Sequence, residues 1–181
     1  IRRRSNRVIA VHAEGEAIRE YTDLDFVCSI GALSHRRDPQ RIVKAGLSAL
    51  KPGGKMLIWV YGHEGNELYL ALSEPLRKFT TKMSTSQLDI VISLLLPLLL
   101  AYKTLCRFLP LPMRAYMLNH IARLDKLQLR QTIFEQLSPA CVHYFRQEDA
   151  IALMEKSGFV NVDCFHRHKY SWTIIGERAV K

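Results

Sequence analysis

The chain has 181 residues, enough for one domain with a real core, and 48% hydrophobic against 24% charged residues is an ordinary globular composition, which excludes a disordered tail. Its 26 Lys and Arg outweigh 17 Asp and Glu, and the formal +9 suits contact with nucleic acid, an anionic membrane surface or an acidic substrate. The surplus lies in separated patches such as "IRRRSNR" and "HRHK", with no basic run interleaved with aromatics, so nucleic acid is not an expected partner.

The chain opens at Ile1 without a Met or a charged-then-apolar leader, so no signal peptide is expected; a fragment or a processed chain is. "RVIAVH", residues 7–12, and "DFVCSIG", residues 25–31, are short β-rich apolar runs that predict buried strands. Asp38 as a cap and Pro39 in the first turn open "PQRIVKAGLSALK", where Ile42, Val43, Leu47 and Leu50 recur at helical spacing. The helix is expected to stop at Lys51. Pro52 cannot continue it, and positive backbone angles at Gly53 and Gly54 would turn the chain into the strand "KMLIWVYG". Strand, helix, turn and strand make a βαβ unit with a parallel pair. In open α/β sheets the ligand crevice lies beyond the carboxyl ends of the strands, which here carry Ser29, Gly31 and His35, then Tyr61, Gly62 and His63.

Residues 66–138 read as helical. "NELYLALSEPLRKFTTKM" is amphipathic, "STSQLDIVISLLLPLLLAYKTLCRFLPLP" begins with Ser and Thr cap candidates, and a third helical stretch is expected from about Met113 to Leu137. The apolar run from Ile90 to Tyr102 is thirteen residues, short of the roughly 20 needed to span a bilayer, and reads as a helix buried between others. An interfacial anchor or the lining of a lipid pocket are the alternatives. After Pro139, "RQEDAIALMEKSGF" predicts a helix closed by Gly158, and "VNVDCFHRH" and "YSWTIIGERAV" predict antiparallel strands joined near Lys169. Cys28, Cys106, Cys141 and Cys164 lack zinc spacing and are expected as buried free thiols in a reducing cytoplasm. His166 and His168 alternate on one strand, but two histidines without a third ligand make no metal site, and none is expected.

In that order, "DFVCSIGALSHRRDPQRIVKAGLSALKPGGKMLIWVYG" resembles the middle of a class I S-adenosylmethionine-dependent methyltransferase, and "GFVNVDCFHRHKYSWTIIGER" is similar to that fold's terminal antiparallel hairpin. The matching parts cover about 100 residues. The resemblance implies an α/β fold: an incomplete Rossmann-like methyltransferase sheet with a terminal antiparallel hairpin and an all-helical insertion. The core would be residues 1–65 and 139–181, and the insertion 66–138 a substrate cap. It implies S-adenosyl-L-methionine as cofactor. The family's glycine-rich loop and ribose-binding acid would lie before Ile1, leaving this chain the later half of the cofactor site. By the same resemblance "RVIAVHAEGEAI" corresponds to the third strand, with Glu14, then Glu16, as the acid at the adenine amino group, while Ser29, Ile30 and Gly31 would lie against the methionine part.

Methyl transfer requires alignment of donor and acceptor and, for an oxygen acceptor, removal of a proton. His63 and His35 are the candidate bases, and Tyr61 the candidate for orienting or closing over the methyl group. Arg114, Tyr116, Tyr144 and Arg146, with Arg123, are candidates to meet the acceptor, expected to be a small amphipathic or lipid-like molecule. The rival expectation is a non-catalytic interaction or membrane-surface protein on a degenerate form of the fold, with peripheral membrane contact. Strands missing beside "DFVCSIG" would leave a hydrophobic edge that either forms a homodimer, re-pairs with the chain's own strands, or belongs to a longer protein.

Overall fold

The structure, a computed structural model, describes residues 12–138 and 141–180. The expected strand at 7–12 lies outside the described residues, apart from His12, which is in neither helix nor strand. The described residues fall into two compact units: those up to Glu67 together with those from Cys141 on, and those between Leu68 and Ser138.

The first unit is built on a four-stranded sheet of β1 (Leu24–Ile30), β2 (Leu50–Tyr61), β3 (Phe159–Arg167) and β4 (Ser171–Arg178), in the order β1-β2-β4-β3. The pair β1–β2 is parallel; β2–β4 and β3–β4 are antiparallel. Helices α1 (Pro39–Ala49) and α6 (Gln147–Glu155) bury Ile42, Val43, Ala150 and Met154 against Met56, Ile58, Val60 and Ile174 of the sheet. Each such large side chain contributes about 1.5–3 kcal/mol of burial. The opposite sheet face is more open: Phe26, Ile30 and Phe165 are 52%, 70% and 49% exposed. β1 is an edge strand. No described strand adds to it, so the expected re-pairing with the chain's own strands does not occur among the described residues.

Several local expectations need correction. α1 ends at Ala49, not Lys51, because Leu50 already pairs with Leu24 of β1. Asp38 precedes the helix but its carboxylate accepts no capping bond; it pairs with Arg41 at 3.2 Å. Pro52-Gly53-Gly54 is not a turn ahead of the strand but an irregularity within β2, where the register jumps from Leu24↔Leu50 to Phe26↔Lys55. Only Gly53 has a positive φ, +76°. Gly54 is needed for space, since a Cβ there would lie 2.9 Å from the carbonyl oxygens of Leu24 and Lys51. The hairpin joins β3 to β4 through His168, Lys169 and Tyr170, the first two at positive φ (+50° and +61°), with the Tyr170 N–H donating to the Arg167 carbonyl at 3.2 Å. Two successive residues at positive φ turn the chain with the twist that antiparallel strands require.

The second unit holds α2 (Glu67–Thr80, its first residue falling in the other unit), α3 (Thr85–Phe108), α4 (Arg114–Asn119) and α5 (Lys126–Leu137). Ser84 and Gln87 form a capping box ahead of α3, as do Asp125 and Gln128 ahead of α5. The expected helical stretch from about Met113 to Leu137 consists of α4, a 3-10 turn at Ile121–Arg123 and α5, which the Asp125 cap starts afresh. Two small cores form, one of Leu96, Cys106, Met117, Ile121 and Leu129, the other of Leu88, Ile92 and Leu137. α3 has 24 residues and is long and apolar enough to cross a membrane, which corrects the reading of its apolar run as too short. Nor is it buried between others: 17% of its most apolar window is buried. Asp89 and Lys103, which bound the apolar run in the sequence, lie inside the helix, which extends from Thr85 to Phe108.

Arg178, at the end of β4, reaches the last turn of α1. Its Nη1 donates to the carbonyls of Leu47 and Ser48 at 3.3 and 3.2 Å, and to Leu50. A guanidinium there satisfies orphan carbonyls and opposes the negative end of the helix dipole. Arg178→Met, which keeps the apolar stem, is expected to cost about 1.5–3 kcal/mol, read from urea unfolding.

Candidate functional site

The carboxyl ends of β1 and β2 carry a concentration of aromatic and polar side chains in the first unit. β1 is followed by Gly31 at φ +74°, whose N–H donates to the Trp59 carbonyl at 3.1 Å. The chain then makes a single 3-10 turn, Leu33–His35, that places Ser34 wholly inside. Ser34 Oγ accepts from the Tyr61 N–H at 3.1 Å, and its carbonyl accepts from the His143 N–H at 2.7 Å. The segment from His143 to Phe145 runs beside the end of β2: the Phe145 N–H donates to the Tyr61 carbonyl and the His63 N–H to the Phe145 carbonyl, both at 2.8 Å, with a parallel bridge between Gly62 and Phe145.

This backbone weave gathers an aromatic cluster. Tyr61 stacks on Tyr144 (centroids 5.4 Å, interplanar angle 25°) and meets His35 (5.7 Å, 85°) and Trp59 (5.4 Å, 79°) edge to face. Trp59 and Tyr61 share a sheet face because side chains alternate along β2. His35 is exposed and the three other rings are half-buried, so the cluster meets solvent at the imidazole.

His63 follows the Gly62 bridge and is half-buried. Its charge acts on Glu64, whose Oε1 accepts from the Gln147 N–H at 3.2 Å and whose Oε2 accepts from Trp172 Nε1 at 3.1 Å. Burial opposes the Glu64 charge, but its own backbone N–H, that of Gln147, the Trp172 indole and the nearby His63 outweigh it and hold the carboxyl below its ordinary value. Glu64 thus supplies the first turn of α6 with an anion from a distant loop.

The remaining expected residues are dispersed. Glu14 is exposed and paired with Arg36 at 3.0 Å, and Glu16 opens the 3-10 turn Gly15–Glu20. Ser29 is half-buried and Ile30 is 70% exposed. Arg146 is exposed at the position before α6 and makes no side-chain cap. Arg114 and Tyr116 belong to the helical unit: Arg114 Nε donates to the Cys106 carbonyl near the end of α3 at 2.7 Å, and Tyr116 stacks on His120 (5.2 Å). Arg123 is exposed in the 3-10 turn after α4.

The cysteines are not uniformly buried as expected. Cys28 is exposed, Cys141 and Cys164 are half-buried, and only Cys106 is fully enclosed. Cys28 lies on the open sheet face, and burial with the nearby Glu64 charge pushes the Cys164 thiol up to about 11. His166 and His168 do not point together: His166 stacks on Trp172 (4.1 Å) and His168 on Tyr170 (5.9 Å). Among the described residues no group of three or more His, Cys, Asp and Glu could hold a metal.

Reasoning from sequence missed Trp59, Ser34 and Glu64. Trp59 was legible as the residue two before Tyr61, on the same strand face. Ser34 and Glu64 gave no local signal, because their partners lie 27 and more than 80 positions away.

Ser34→Ala leaves the Tyr61 N–H without its acceptor in a buried place and is expected to cost about 1–3 kcal/mol, read by denaturant unfolding. The Glu64 carboxyl is lowered in the folded state, so its contribution is present above the unfolded value near 4.5 and fades as pH falls through the folded one. Glu64→Gln is expected to be less stable than the unsubstituted chain by about 0.5–1 kcal/mol at pH 7. That difference closes below pH 4.5, which thermal melts between neutral and acid pH would record.

No protein-family model matches the sequence, and no curated protein does. Solved structures do. An O-methyltransferase family protein from Burkholderia thailandensis aligns over 97% of this chain and 37% of its own, at 13% identity and a TM-score of 0.51. A SAM-dependent methyltransferase from Thermotoga maritima aligns over 97% and 66%, at 16% identity and TM-score 0.47, and human N-acetylserotonin methyltransferase over 86% and 29%, at 10% and 0.40. The chain spans less than two fifths of the Burkholderia protein's length. At such identity the likeness is one of fold. The chain has a methyltransferase-like α/β fold, in which a mixed four-stranded sheet ends in an antiparallel hairpin and carries a helical insertion.

Proposed function

We propose that this chain takes part in S-adenosyl-L-methionine-dependent methyl transfer to a small amphipathic acceptor. The observation that carries the reading is the convergence of His35, Trp59, Tyr61 and Tyr144 at the carboxyl ends of a parallel strand pair, within a methyltransferase-like fold. Ligands of open α/β sheets bind beyond such ends.

The residues present suit one part of the cofactor. When bound, S-adenosyl-L-methionine supplies an electrophilic methyl on a sulfonium cation. The electron-rich faces of Tyr61, Tyr144 and Trp59 attract a cation and give water little foothold. Glu14 fits less directly, since it would reach an adenine amino group only by giving up Arg36. In this reading His35, exposed beside Tyr61, takes a proton from an acceptor hydroxyl, the task that methylation of oxygen sets. The name O-methyltransferase carried by the Burkholderia protein agrees with an oxygen acceptor.

A second reading, a non-catalytic interaction protein on the same fold, draws on the open edge and exposed apolar residues of β1. Calorimetric titration separates the two. Saturable binding of S-adenosyl-L-methionine and of S-adenosylhomocysteine is expected. Tyr61→Leu should weaken the sulfonium more than the neutral thioether, by roughly 3- to 10-fold. Absence of heat with either ligand, from folded protein, would favour the non-catalytic reading.

A further inference from the structure

α3 carries more apolar surface than its own unit uses. One face, with Leu88, Ile92, Leu96 and Cys106, is buried in the helical cores. The other presents Ile90, Leu94, Leu98, Leu105 and Phe108 at 63%, 66%, 66%, 49% and 80% exposure. Their spacings of four, four, seven and three place them on one stripe, about 27 Å long at the helical rise. No ionisable residue interrupts it: the stripe's intervening positions are Pro97 and Ala101. Single exposed leucines are common on proteins, but a continuous stripe marks an interaction surface.

Charge identifies the partner. Residues 68–138 hold nine Lys and Arg against four Asp and Glu, a surplus of five within a chain of formal +9. Of those four acids, Asp89 is paired with Arg130 and Asp125 is used as a helix cap. α2 and the turn after it repeat the combination in sequence, with Leu72 and Phe79 each 69% exposed and Lys78 and Lys82 exposed as well. A second copy of the chain would bring like charge against like across a symmetric interface. An anionic lipid surface meets both features, the apolar stripe and the net positive charge of the unit that carries it.

We propose that the exposed face of α3 docks the helical unit on an anionic membrane, lying in the boundary between headgroups and acyl chains. The helix does not span, because its other face is occupied by Met117, Ile121 and Leu129 and carries the packing of the unit. The inference stands apart from the methyl-transfer reading, since it uses other residues and no cofactor.

The test is flotation of the full chain with vesicles of phosphatidylcholine alone and of equal parts phosphatidylcholine and phosphatidylglycerol. Binding to the anionic vesicles that falls with added salt is expected. Leu94→Gln with Leu98→Gln should weaken it about tenfold or more, and Lys78→Glu with Lys82→Glu by at least fivefold. All four positions are solvent-facing, so circular dichroism should remain unchanged. Failure to bind anionic vesicles, or undiminished binding by the leucine variant, overturns the proposal. So does a dimer in sedimentation equilibrium that the leucine variant abolishes while vesicles bind neither form. Bound protein that resists alkaline carbonate extraction would overturn the in-plane placement in favour of a spanning helix.

Discussion

Everything in the α/β unit depends on how the backbone of β2 is satisfied where the strand outruns its neighbours. A buried N–H or C=O left unpaired costs as much as a lost hydrogen bond. Each group at this end has a partner from a different part of the chain. The Trp59 carbonyl accepts from Gly31, the Tyr61 N–H donates to Ser34 Oγ, the Tyr61 carbonyl accepts from Phe145, and the Gly62 N–H donates to the Tyr170 carbonyl at 3.0 Å. The aromatic cluster follows from this weave. Tyr144 can stack on Tyr61 only because its two neighbours, His143 and Phe145, are hydrogen-bonded to Ser34 and to the end of β2.

The loop that leaves β2 is held as tightly. The Asn66 side-chain amide donates to the carbonyls of Gly62 and Tyr170, both at 2.8 Å, and Glu64 ties the same loop to α6 and Trp172. Gly65, at φ +83°, presses so close to the hairpin that a Cβ would stand 1.7 Å from the Lys169 carbonyl oxygen. Sheet, hairpin and the turn before α6 therefore meet at one rigid corner. A catalytic or binding constellation needs such support, since small displacements of reacting groups cost much of their effect. The helical unit works differently. Its two small cores satisfy its inner faces and leave the outer face of α3 as unused apolar surface.

How much of this the sequence carries differs by element. β1, α1 and β2 are legible because their periods are plain and because Pro39 and Pro52-Gly53 punctuate them, although the Pro-Gly-Gly stretch turns out to belong to the strand. The hairpin is legible from two alternating runs with a short polar link. The segment 143–145 is not, because it has no periodicity and takes its place only from hydrogen bonds to residues about 80 to 110 positions away. The exposure of α3 was hidden for another reason: an almost wholly apolar run has no polar face to declare which side is buried, so a core helix and a surface stripe read alike. His35 and Tyr61 come together as the strand ends suggest, while the partners of Glu64, Gln147 and Trp172, lie too far along the chain for the sequence to show.

The central claim is that the carboxyl ends of β1 and β2 form one ligand-binding corner. The most direct measurement is a two-dimensional amide NMR titration of the chain with S-adenosylhomocysteine, following the backbone amides of Gly31, Tyr61, His63 and Phe145 and the Trp59 indole. Saturating shifts confined to these signals and their neighbours are the predicted result. Shifts concentrated elsewhere, or none at saturating ligand, would contradict the account.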